Sequence, residues 1–247
     1  MRSRMLLRAL AGAALAIVAM SPARAVEVAI EIGGLQVRGP VDLLSFPPEA
    51  SLGARVNGPA GSQNFSDDVP FTESVRLDAG IDGASASTVF SAGNLRKRGQ
   101  GPTLSLLASA TGAGNSAVAE GYLDVFGRSF GPEVFLVGFM ASIDPRSVAP
   151  GETVKAWVEL TAGGPDGQIY LEQGIYWEID ASGQVQRSQS ISRPLGGPVY
   201  AFMADVVIDA HVEVTGAASI SLVPEPATAW LWATGAVLLG GLRRRRR

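Results

Sequence analysis

The chain has 247 residues, of which 47% are hydrophobic, with 20 Lys and Arg against 23 Asp and Glu, one His and no Cys. The lack of cysteine excludes a disulfide-linked fold, a thiol nucleophile and lipidation of a cysteine behind a leader peptide. The formal net charge of −3 gives no indication of a basic nucleic-acid-binding protein.

The first 25 residues have the three parts of a secretory signal peptide. Three arginines precede an apolar run over residues 10–20, and an A-x-A cleavage site follows at Ala23-Arg24-Ala25. We therefore expect signal peptidase to cut after Ala25 and to leave Val26 as the mature N-terminus. An uncleaved N-terminal anchor helix is the alternative, although the apolar run is short for one.

Without its two ends the chain is strongly acidic. Residues 26–224 hold 11 basic and 22 acidic residues, a net charge of −11. Such a surface argues against a nucleic acid or an anionic membrane as the partner, and it is compatible with cations and neutral sugars. The segment is long enough for one substantial core and fits one large domain or two small ones. We predict one domain over residues 26–222.

The dominant pattern in this segment is alternation of apolar and polar residues, which is typical of half-buried strands. It is clearest over 26–32, 153–160, 169–180 and 206–214. Further strands are predicted at 85–90, 103–110, 116–126, 133–141, 184–191 and 199–204. Turns rich in Gly, Pro, Asn and Asp separate them, at 57–59, 99–102, 163–167 and 196–198.

Many short strands with such turns predict an all-β fold, specifically an antiparallel β-sandwich of jelly-roll type. A solenoid or an open barrel is the alternative, although no internal repeat of fixed period is visible. Prolines interrupt residues 40–72, for which we predict a long loop or an irregular connection. Arg96-Lys97-Arg98 is predicted to lie in a solvated hairpin turn.

The sequence offers little for catalysis. Its one histidine, His211, and the lack of a G-x-S-x-G motif do not support a Ser-His-Asp hydrolase, and one histidine does not make a zinc site. His211 shares the polar parity of its strand with Asp209 and Glu213, so a weak metal contact and a solvent-facing strand residue are the two interpretations. The many carboxylates leave a glycosidase-like pair open. We predict no catalytic residue, no metal site and no cofactor.

One set of side chains suggests a carbohydrate-contacting surface. A hairpin around 163–167 would place five polar or aromatic side chains on one sheet face, where rings stack on sugars and carboxylates accept hydroxyl hydrogen bonds. These residues are Trp157, Tyr170, Glu172, Tyr176 and Glu178. Ordinary cross-strand pairing of exposed residues is the alternative. Calcium at Asp67-Asp68 or at the Asp166 turn has weaker support, because oxygen ligands are common in loops.

The last residues form a three-part segment. Val223-Pro224-Glu225-Pro226 precedes an uncharged run, Ala227–Leu242, which is followed by Arg243, Arg244, Arg245, Arg246 and Arg247. As a helix the run would span about 24 Å, against a bilayer core of about 30 Å, which favours a temporary span. The arginines are costly to translocate and should act as a cytoplasmic stop. An ordinary C-terminal anchor is the alternative.

This segment resembles the PEP-CTERM sorting signal of Gram-negative bacteria, in which such a motif precedes a hydrophobic helix and an arginine cluster. The resemblance implies that exosortase, a membrane-embedded cysteine transpeptidase, processes the chain at or near Pro224-Glu225-Pro226. It also implies a setting of exopolysaccharide and biofilm matrix, with surface display or release to the cell exterior. It covers about a tenth of the chain and implies no catalytic residues within it.

These features predict an exported, non-enzymatic protein of the cell surface or extracellular matrix. Its expected partners are signal peptidase, exosortase, the inner membrane transiently, and extracellular polysaccharide. A carbohydrate-binding module is the alternative, and a secreted glycan hydrolase or lyase is a third possibility from another class.

Overall fold

The computed structural model describes residues 25–43, 48–129, 135–148, 151–179, 185–187 and 191–217. The predicted signal peptide, apart from Ala25, and the predicted sorting segment 223–247 lie outside these ranges. Within the described ranges all regular secondary structure is β, in accord with the predicted class. No helix in them is long and apolar enough to cross a membrane.

Fourteen strands follow one another within the described ranges. They are β1 Val26–Arg38, β2 Val41–Asp42, β3 Glu49–Gly58, β4 Gly61–Pro70, β5 Val75–Ile81, β6 Ala84–Ser91, β7 Thr103–Ala110, β8 Ser116–Ser129, β9 Phe135–Ser147, β10 Thr153–Gly163, β11 Ile169–Ile179, β12 Val185–Arg187, β13 Ile191–Val199 and β14 Met203–Thr215.

The strands form two antiparallel sheets. Sheet 1 has the order β13-β9-β1-β7-β6-β5, and sheet 2 has the order β12-β11-β10-β14-β8-β3-β4, with β2 also paired to β8. The sheets pack against each other, since β3 contacts β5 and β6, and β7 contacts β8 and β14. The core lies between them, where Ile30 and Leu104 of sheet 1 and Leu160 and Ile208 of sheet 2 are fully buried.

The prediction for residues 40–72 was wrong, because they contain the β3–β4 hairpin. The prolines do not interrupt these strands: Pro48 precedes β3, Pro59 lies in the turn, and Pro70 is the last residue of β4. A proline at a strand end or in a turn removes no hydrogen bond that the ladder needs. The alternation in β3 is clear, with Ala50, Leu52, Ala54 and Val56 on the buried side.

The predicted strand 199–204 and the predicted turn 196–198 were also wrong. Residues 196–198 lie inside β13, and residues 200–202 connect β13 to β14. β13 is an edge strand, where Pro194 and Pro198 are tolerated because no neighbour needs their missing N–H. The predicted strand 103–110 was confirmed at both ends, and of 184–191 the structure describes only β12 and Ile191.

Glutamine side chains join the two sheets at both lateral edges. Gln173 of β11 donates to the carbonyl of Gly196 at 3.1 Å and accepts from its N–H at 2.8 Å. Gly196 has φ +134°, and a Cβ there would lie 2.2 Å from the carbonyl oxygen of Val137, so only glycine fits. At the other edge Gln63 of β4 accepts from the N–H of Gly80 at 2.8 Å.

Both ends of the described domain lie at the same end of the two sheets. Val26 is paired with Ala110, the last residue of β7. The N–H of Gly216 donates to the carbonyl of Asn115, immediately before β8, at 3.0 Å. The chain therefore enters and leaves the domain beside the β7–β8 connection, residues 111–115.

Gln173→Ala should destabilise the protein by about 1–3 kcal/mol, because it leaves the part-buried N–H and C=O of Gly196 without their partners. Urea denaturation of the full-length protein measures this change. The matched control is Gln168→Ala, at an exposed position, which should change the stability by less than about 0.5 kcal/mol. Equal midpoints for the two variants would contradict a structural role for Gln173.

Candidate functional site

The predicted hairpin around 163–167 is present and joins β10 to β11. Trp157 pairs directly with Tyr176, and Lys155 pairs with Glu178, on the face of sheet 2 that points away from the core. Glu172 lies on the same face, opposite Thr161. The structure thus brings four of the five predicted glycan-contacting residues together.

Tyr170 departs from this face. The β10–β11 register shifts between Ala162 and Gly163, so that Ile169 lies opposite Gly163 and Tyr170 is the extra residue of a bulge. Tyr170 consequently packs against the core cluster, as its neighbour Leu171 also does. The prediction from strict alternation was wrong here because one inserted residue reverses the parity of all residues beyond it.

The Trp157 ring is packed against the protein. It stacks on His211 of β14, with ring centroids 4.1 Å apart and an interplanar angle of 10°. Its indole N–H points to Oδ2 of Asp209 at 3.4 Å. Tyr176 lies over Gly174, where an added Cβ would be 2.6 Å from the tyrosine ring. These contacts leave less ring surface for a ligand than the sequence suggested.

His211 is not the solvent-facing residue that one interpretation expected, since its side chain is only 15% exposed. Burial lowers the pKa of His211, and this outweighs Glu120, Glu213 and Asp209, which act to raise it. Its Nδ1 lies 3.6 Å from Glu120, and its Nε2 lies 4.0 Å from Glu213. No group of three or more His, Cys, Asp or Glu side chains in the described ranges is arranged to hold a metal ion.

A concave part of this face lies one strand further on. There a groove of about 250 Å³ crosses β4, β3, β8 and β14, which are neighbours in sheet 2. Tyr122 of β8 pairs with Ser51 on one side and with Asp209 on the other. The side chains that line the groove are Ser51, Ser66, Asp68, Glu120, Tyr122 and Asp209. We call it the Tyr122 groove.

Sequence reasoning missed the Tyr122 groove for a definite reason. The alternation in the predicted strand 116–126 already placed Glu120 and Tyr122 on one parity. Ser51, Ser66 and Asp68, however, lie in the region that was predicted to be a loop. Only the pairing of β3 with β8 and β4 brings these residues to the same place.

The face around the groove is strongly acidic. On β3, β4, β8, β10, β11 and β14 the outward positions carry three basic residues, Arg55, Arg128 and Lys155. The same positions carry ten carboxylates: Glu49, Asp68, Glu120, Asp124, Glu159, Glu172, Glu178, Asp205, Asp209 and Glu213. Burial and the nearby Asp124, Asp209 and Asp205 raise the pKa of Tyr122. Burial, Asp205 and Glu49 raise the pKa of Asp124.

Sheet 1 presents a different outer face. A wider concavity of about 630 Å³ is lined there by exposed Leu136 and Met140, by Pro194, and by Arg38 and Arg98. It lacks the carboxylates of the Tyr122 groove. The two concavities therefore differ in charge, since carboxylates line the Tyr122 groove and two arginines line the concavity on sheet 1.

Comparisons with known proteins identify no family for this chain. No protein-family model matches the chain, and no curated protein or solved structure shows significant similarity to it.

The stability of the protein should fall as the pH drops below about 6.5. The unfolded chain has a histidine with its ordinary pKa of 6.5, whereas the folded chain holds a lowered one, so the unfolded state binds more protons in that window. The free energy of unfolding, measured by urea denaturation across this pH range, should have a smaller slope against pH for His211→Gln than for the wild type. Asp124→Asn should not reduce the slope, because a raised carboxyl pKa contributes with the opposite sign, so its removal leaves the pH dependence as steep as in the wild type or steeper.

Proposed function

We propose that this chain is an exported, non-enzymatic protein of the cell surface or extracellular matrix, sorted by exosortase through residues 223–247. The observation that carries the proposal is the order of motif, apolar run and arginine cluster in that segment. Signal peptidase and exosortase are its processing partners, and the inner membrane holds it transiently. The proposed surroundings of the exported protein are rich in extracellular polysaccharide.

For the finer architecture we propose a jelly-roll β-sandwich between an N-terminal signal helix and a C-terminal hydrophobic helix. The two packed antiparallel sheets support the sandwich. Such a domain presents its functional surfaces on outer sheet faces and end loops, since the inner faces are occupied by the core.

The positions of Val26 and Gly216 are compatible with processing by signal peptidase and exosortase. Val26 and Gly216 lie at the same end of the sheets, beside residues 111–115. A 13-residue strand such as β14 is about 40 Å long, so a membrane-held precursor would place the connections 92–102 and 200–202 about that far from the held end. Both cleavages would then occur at one end of the folded domain.

A carbohydrate-binding module is the second candidate, and the Tyr122 groove favours it. Tyr122 is 44% exposed and lies among hydroxyl and carboxylate side chains, which is the chemistry that sugar rings and hydroxyls contact. A glycan hydrolase or lyase is the opposing class. Release of reducing ends from any polysaccharide by the purified protein would contradict both non-enzymatic functions.

Intact mass spectrometry tests the processing. Protein from a Gram-negative host with an exosortase should lack Arg243–Arg247, whereas protein from the same host without the enzyme should keep them and stay in the inner membrane. Replacing Pro224 and Pro226 with alanine should also block processing, and Ser219→Ala, just before the motif, should not. A wild-type chain that still ends at Arg247 in the exosortase-positive host would rule out the proposed sorting.

A further inference from the structure

The Tyr122 groove combines a ring surface with negative charge. The ring of Tyr122 is 44% exposed, although its pairing neighbours Ser51 and Asp209 flank it on both sides. Asp68 and Ser66 of the edge strand β4 complete one wall. A pocket of about 250 Å³ is slightly below the size of typical small-molecule sites, which suits about one sugar unit of a longer chain.

In the described part of the chain the carboxylates of the groove form no ion pair with Lys or Arg, although Arg55 lies on the same face near His211. In those ranges neither Asp68 nor Asp209 forms an ion pair, and Glu120 approaches only His211. Burial lowers the pKa of His211, which favours the neutral imidazole and so leaves Glu120 without a fixed cationic partner. Asp209 accepts a hydrogen bond from the neutral indole of Trp157, which leaves its charge in place.

We propose that the Tyr122 groove binds a sugar unit bearing a protonated primary amine, within a polysaccharide that carries free amino groups. The ammonium group of this unit lies near Glu120 and Asp209, and its pyranose ring stacks on Tyr122. Asp68 lies three strands from Asp209, about 14 Å away, and there it meets the amine of a neighbouring unit. This inference rests on the proposed polysaccharide surroundings and adds the class of ligand and its position.

Other ligand classes use the groove less well. A polysaccharide rich in carboxylates or sulfates would be repelled by the uncompensated charge of this face. A neutral sugar would use the Tyr122 ring but would supply no counter-charge to Asp68, Glu120 and Asp209. An amino sugar satisfies both, since its pyranose ring stacks on Tyr122 and its ammonium group is attracted to the carboxylates.

The test compares two oligosaccharides that differ only in charge. The full-length protein is titrated calorimetrically in detergent at pH 6.0 with the glucosamine hexamer and with its fully N-acetylated counterpart. The amine form should bind at least about tenfold more tightly, and this preference should decrease as salt screens the ammonium–carboxylate attraction.

Variants locate the site. Tyr122→Ala should weaken binding of the glucosamine hexamer about two- to tenfold, the effect of losing one aromatic stacking contact with the sugar ring, and Tyr122→Phe should retain it. Asp68→Asn should weaken binding, whereas Asp67→Asn removes the same charge from the adjacent, opposite-parity position and should leave the affinity within about twofold. Tyr200 in the β13–β14 connection is 73% exposed. Tyr200→Ala is therefore the control that shows whether loss of any exposed tyrosine weakens binding.

The outcomes separate this inference from the functions proposed above. Equal affinity for the two hexamers, or equal losses in Asp67→Asn and Asp68→Asn, would overturn the amino-sugar site, the latter by showing non-specific attraction. Loss of binding in Tyr176→Ala but not in Tyr122→Ala would move the carbohydrate site to β11. None of these results bears on exosortase processing, which the mass measurement tests alone.

Discussion

The structure depends on burial of the inner faces of two antiparallel sheets against each other. The chain has no cysteine, so no disulfide assists, and the core between the sheets must supply the stability. Alternation along each strand then has a second consequence. Alternate side chains along each strand point outward, so the outer face of sheet 2 receives residues such as Trp157, Tyr122 and Asp209.

The lateral edges show how this packing is protected. Gln173 and Gln63 reach from sheet 2 to backbone groups of sheet 1, at Gly196 and Gly80. These side chains satisfy backbone groups that would otherwise lie at open edges, where unpaired strands invite pairing with other chains. Pro194 and Pro198 in β13 act in the same direction, because each removes a donor from an edge strand.

On the outer face of sheet 2, a closely packed aromatic pair lies next to an acidic groove. Trp157 and His211 stack on each other, which buries the histidine and lowers its pKa despite three nearby carboxylates. Next to this pair Tyr122 stays half-exposed in an acidic groove. The first arrangement holds neighbouring strands together, and the second leaves a ring and charges available to a ligand. Several carboxylates of the acidic segment 26–224 therefore lie in and around the concave Tyr122 groove.

The sequence by itself determined the β class, the bounds of strands such as 103–110, and the parity of Trp157, Tyr176, Glu120 and Tyr122. Alternation is a property of neighbouring residues, and it therefore survives without any knowledge of the fold. The β3–β4 hairpin, the bulge at Tyr170 and the strand position of Gly196 were decided by tertiary structure. Prolines at strand ends resemble prolines in loops, and one inserted residue changes a parity that local pattern cannot correct. The Tyr122 groove depends on the pairing of β3, β4, β8 and β14, which joins residues far apart in the chain, and contacts of that kind leave no local signal in a single sequence.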